Sequence, residues 1–147
     1  MFGWGRKEKE TRQKAEALEY LLEIVHKELA QHIVMAADAY DISWALHRPV
    51  YSQDRYMAVL FQFALDYSET MPAEPSIVRS SFINFYDRFF PDQRNVQERT
   101  LQALRDTNSH DALRAAGLVC RKVIAGATPD EREHLMAGLA QIYIGVA

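Results

Sequence analysis

Residues 11–40, TRQKAEALEYLLEIVHKELAQHIVMAADAY, decide the fold of this chain. Leu18, Leu22, Val25, Leu29, the His32/Ile33 pair, Ala36 and Tyr40 recur at spacings of three and four, the period that lays one apolar stripe along a helix. The stretch holds no glycine or proline and is rich in Ala, Leu, Glu, Lys and Gln, which give up little on entering a helix. It makes a rod about 45 Å long, enough for several shorter helices to pack against.

Working outward, a length of 147 residues is near the commonest single-domain size. Such a chain buries roughly two-thirds of its unfolded surface, so a core can hold it together without a disulfide or a metal. The 48 % hydrophobic and 25 % charged composition is that of an ordinary globular protein. Six Gly and five Pro leave little room for a turn-rich β architecture. The lone Cys120 forbids an internal disulfide and fits a reducing compartment. No segment reaches about 18 uninterrupted apolar residues, which argues against a membrane span. The opening MFGWGRKEKE lacks the apolar core of a secretory signal, so the cytoplasm is the expected location. Residues 1–14 hold Arg6, Lys7, Lys9, Arg12 and Lys14 against Glu8 and Glu10, a balance of +3; the total of −3 then leaves −6 on the rest. An acidic body argues against a nucleic-acid partner, which needs a basic surface facing the phosphates.

Residues 1–10 read as a flexible lead-in, and 11–147 as one helical domain. Past Tyr40, Pro49 disfavours helix at Arg48 and marks a boundary. Ser52 or Asp54 is placed to cap a second helix over about Gln53 to Tyr67, so apolar on most sides that a central position is expected. Pro72 and Pro75 punctuate a loop, and a third helix runs from about Pro75 to Phe89, ended by Pro91. Ten of the sixteen aromatic residues (seven Phe, seven Tyr, two Trp) fall between Tyr51 and Phe90. Asn95 and Glu98 suggest a capping box opening a short helix to about Asp106, and Ser109 a cap for the fifth. In that fifth helix Ala115, Ala116 and Gly117 are small enough for a neighbour to approach closely. Gly126 stops it; Thr128, Pro129 and Glu131 then spell cap, first-turn proline and box closure for a sixth helix running to the end. The expected architecture is all-α, an irregular bundle of about six helices around a long N-terminal helix (about 11–40).

Several groups invite a chemical reading. Glu23/His26 and Glu131/His134 are two Glu-x-x-His pairs, and such pairs build metal sites inside helical bundles. Against this, Glu23 lies off the apolar stripe and Glu131 already serves as a cap, so solvated helix surface is the preferred reading. His32 borders the core stripe, where a half-buried structural histidine is the commoner role. Asp38, Asp41, His47 and Arg48 surround the end of the first helix; they form either a polar ligand pocket or, as preferred, a structural corner in which Arg48 pairs with an aspartate. Gln62 and Asp66 sit one turn apart on the most apolar helix, and a buried carboxylate must find a partner or stay protonated. Arg79 or Arg88 is the expected partner, and a ligand pocket is the alternative. Cys120 falls on an inner stripe and reads as an inert core thiol. No phosphate loop, nucleophile elbow or zinc motif is present, so neither a catalytic residue nor a cofactor is assigned.

These observations point first to a small helical protein–protein interaction or regulatory module, more plausibly not an enzyme, that forms a homo-oligomer or docks on another protein. The apolar Leu139, Ile142, Tyr143 and Val146 of the last helix, with Phe2 and Trp4, are the expected contact residues. The alternative is a ligand- or metal-binding bundle, conceivably an enzyme, using the aromatic middle with Asp66 and His32. A second alternative is peripheral membrane attachment through Phe2, Trp4 and the basic run.

Overall fold

The computed structural model describes residues 2–71 and 73–146, with residues 2–4 by their backbone alone. Six α-helices follow one another: α1 (Phe2–Ala39), α2 (Asp54–Thr70), α3 (Pro75–Phe89), α4 (Val96–Arg105), α5 (His110–Ile124) and α6 (Pro129–Ile144). Three 3-10 turns, at Ser43–Ala45, Val50–Ser52 and Thr107–Ser109, fill the connections; among the described residues there is no strand. The architecture is an all-α bundle.

The rod is longer than its stripe. α1 begins at Phe2 rather than near Thr11, so residues 2–10, expected as a lead-in, have helical backbone. Residues 5–13 bury nothing; good helix formers and an Arg6–Glu10 ion pair one turn apart (3.5 Å) carry the helix there. Burial starts at Leu18 and follows Leu22, Val25, Leu29, Ile33 and Ala37. Ala37 takes the place expected for Ala36, and Tyr40 lies exposed beyond the helix end. That end is a Schellman turn: Asp41, in the left-handed region (φ 56°), donates its N–H to the carbonyl of Asp38 (3.3 Å), and Ile42 donates to that of Ala37 (2.8 Å).

α2 is the centre. It packs on α1, α3, α4 and α5, and Tyr56 to Phe61, Phe63, Ala64 and Asp66 are all buried. α1 in turn packs on α6 and α3, and α5 on both α2 and α6. A single core cluster draws side chains from every helix.

Helix ends show which local signals are strong. Thr128 Oγ1 accepts from the Glu131 N–H (3.2 Å) and donates to Glu131 Oε1 (3.0 Å), with Pro129 in the first turn, as the sequence predicts. The box expected at Asn95 and Glu98 does not form. Asn95 sits in the left-handed region (φ 53°) with no side-chain cap bond, a conformation Asn tolerates better than most residues. Ser109 and Asp54 are not caps either: the residue before α2 is Gln53, and Asp106 caps the turn ahead of α5 by accepting from the Asn108 N–H (3.0 Å).

Candidate functional site

The structure takes the two Glu-x-x-His pairs apart. Glu23 bonds Lys27 (3.2 Å) on the surface, whereas His26 turns inward and sets Nδ1 2.7 Å from Tyr56 Oη. Rings of Tyr56, Phe85 and Phe90 meet the imidazole edge-on, and burial lowers its pKa from the ordinary 6.5. On α6, Glu131 is held by Thr128 and His134 is exposed on an open groove of about 690 Å³ shared with Lys122, Asp130 and Leu135. α1 and α6 are tied nearby by a different pair, Arg132 to Glu28 at 2.9 Å. Among the described residues no three His, Cys, Asp or Glu side chains converge as a metal site would require.

Asp66 is 4 % exposed, and its partners are not those expected. Gln62 donates Nε2 to Oδ2 (2.8 Å), and the Arg121 guanidinium from α5 lies 3.7 Å from Oδ1. Arg79 and Arg88 are elsewhere: Arg79 beside Phe61 and Phe82, Arg88 over the ring of Phe89. The space next to the carboxylate is filled, since a Cβ built on Gly117 would stand 2.9 Å from Oδ2. The small Ala115–Ala116–Gly117 segment thus lets α5 close on α2 over a buried acid. One turn on, Cys120 Sγ is within 3.5 Å of the Phe63 carbonyl, and burial, then Asp66, pushes its thiol up to about 12. That is an inert thiol at neutral pH.

Sequence reasoning missed the densest polar network. Residues 51–55, YSQDR, read as a mere boundary, are bonded by distant helices on every side. Tyr143 donates to Gln53 Oε1 (2.6 Å), and Tyr86 to the carbonyl of Tyr51 (3.1 Å). Arg55 donates to the carbonyl of Tyr143 (2.9 Å), and Arg99 reaches Asp54 (2.7 Å) and the carbonyl of Ser52. Burial raises the pKa values of the Tyr56, Tyr86 and Tyr143 hydroxyls, so all three stay neutral. The available signal was four polar residues in a row ahead of a wholly apolar helix.

The contact residues expected on the last helix have moved inside. Leu139 and Tyr143 are buried in the chain's own core, and Ile142 and Val146 are half-buried against it. Phe2 and Trp4 have side chains outside the described residues. The basic residues beside them do not line one side: at about 100° per residue Arg6, Lys7, Lys9 and Arg12 fan around the helix axis, unlike a helix lying on lipid.

The surplus apolar surface is instead at the end of α1. Val34, Met35, Tyr40, Trp44 and Leu46 are 44 to 57 % exposed. Around them stand Asp38, Asp41, His47 and Arg48, all exposed. They line no polar pocket, and the helix-end carbonyls are satisfied by backbone N–H groups of Asp41 and Ile42, not by Arg48 as expected. Trp44 packs 6.1 Å from the Tyr143 ring, and the Arg55 guanidinium sits 5.7 Å from both ring centres. His32 is half-buried on α1. Among the described residues no helix is long and apolar enough to cross a membrane.

Fold and surface together define a helical bundle with an exposed apolar corner. Comparisons with protein-family models, with curated proteins and with solved structures found no match to the chain.

Proposed function

We propose that this chain is a non-enzymatic helical interaction module that associates with copies of itself. The observation carrying this is the corner between Val34 and Leu46, where five large apolar side chains stand about half exposed within thirteen residues of chain. Their exposed area is on the order of 500 Å², the size of the largest apolar patch on an ordinary monomer and one often given over to binding. Groups with chemical potential elsewhere are already engaged: Asp66 with Gln62 and Arg121, His26 with Tyr56, Glu131 with Thr128. The corner alone combines exposure, apolar area and mixed charge.

Sedimentation velocity of the purified chain, taken into the high micromolar range, tests this. A dimer or larger species is the expected result. A strict monomer across that range refutes self-association.

A further inference from the structure

The corner is built to meet its own image. Its acidic groups, Asp38 and Asp41, sit at the end of α1 next to Val34 and Met35. Its basic groups lie toward Trp44: Arg55 stacks on that ring, and Arg48 is close enough to the Tyr143 hydroxyl beside it to act on its charge. The apolar residues lie among these two signs. A twofold axis through such a surface sets apolar side chain on apolar side chain and brings each basic end over the partner's acidic end.

Resting on the self-association reading, we propose that the Val34–Leu46 corner is an isologous dimer interface occupied by a second copy of this chain, with Arg48 of each copy facing Asp38 of the other. Area supports a copy over a larger body. A specific interface buries about 800 Å² per partner, and about 500 Å² of apolar side chain plus the four charged neighbours accounts for that. An acidic partner would be repelled by Asp38 and Asp41, and a basic one by Arg48 and Arg55; a copy of this surface offends neither.

The test uses the full chain with substitutions on exposed positions, so that folding is not at issue; circular dichroism melting confirms it for each variant. Met35→Glu is expected to weaken the dimer at least tenfold. Arg48→Glu alone and Asp38→Arg alone each place two like-charge pairs across the axis and are likewise expected to weaken it at least tenfold. Mixing the Arg48→Glu chain with the Asp38→Arg chain makes every facing pair opposite in sign, so a heterodimer is expected to recover to within about threefold of the wild-type constant. A dimer unmoved by all three substitutions overturns the corner as the contact while leaving self-association standing. Weakening by each charge change without recovery in the mixture overturns the twofold pairing. A wild-type monomer overturns both readings.

Discussion

Gly117→Ala isolates one close approach between two helices, and the structure sets its sign. In an isolated helix the change would help by about 1 kcal/mol, because Gly is the poorest helix former after Pro. Here the new Cβ would stand 2.9 Å from Asp66 Oδ2 and 3.5 Å from Arg121 Nη2. The carboxylate has little freedom to retreat: it is buried, tied to Gln62 at 2.8 Å and braced by Arg121. Forcing an extra methyl into such a site costs about 1–3 kcal/mol, so the net effect is a loss of up to about 2 kcal/mol. For a chain of this length that lowers the melting temperature by several degrees. Removing the obstacle reverses the sign. In an Asp66→Ala background, itself destabilised by the lost bonds, Gly117→Ala should be stabilising by about 1 kcal/mol, the propensity gain now unopposed. Urea denaturation of the four proteins in this cycle measures the coupling, expected at roughly 1–3 kcal/mol. Additivity within about 0.5 kcal/mol would refute the claim that Asp66 is what keeps position 117 a glycine.

Three further outcomes follow from named atoms. Burial favours neutral His26, whose Nδ1 can then accept from the Tyr56 hydroxyl; with its folded pKa below the ordinary 6.5, its stabilisation is complete above that value and is lost as pH falls through it toward the folded pKa. Wild-type stability should therefore fall more steeply between pH 6.5 and 5, in denaturant titrations, than that of His26→Phe, and parallel curves would count against it. Asp41→Gly relieves a non-glycine residue at φ 56° and should raise stability by about 1 kcal/mol, read as a shift of the denaturation midpoint with an unchanged slope. Ser81 on α3 is buried, and among the described residues its hydroxyl has no partner; Ser81→Ala should stabilise by about 1 kcal/mol, and a loss of that size would show that the hydroxyl is bonded after all.

What could be read in the sequence was local. The stripe from Leu18 to Ile33 specifies a helix and its inner face without reference to anything else in the chain. Pro75 to Phe89, and Thr128–Pro129–Glu131, likewise carry their own start signals. Failures came where two local solutions compete. Asn serves as an N-cap or as a left-handed residue, and Asn95 takes the second role; Asp41 does at a helix end what Gly usually does. The turns before Thr11 have no stripe, so propensity alone sets them, and periodicity is blind to that.

The candidate sites failed for a different reason: each depends on a partner far along the chain. Tyr143 and Gln53 are ninety residues apart, His26 and Tyr56 thirty, and spacing along one helix says nothing of either meeting. The same holds for the contact surface. That the chain has more apolar side chain than its core absorbs was evident from α1 and α6 together, but composition treats Met35 and Leu139 alike. Which of them is left in water is decided by the helix that arrives to cover it. α6 lies against α1 through Leu139 and Tyr143, and the Schellman turn at Asp41 ends α1 and sends the chain into Trp44 and Leu46. The surplus is therefore displaced from the last helix to the end of the first, where acidic and basic residues already flank it. An interface reading follows from that displacement and not from hydrophobicity alone, which is why exposed Met35, rather than buried Leu139, is the residue whose substitution discriminates.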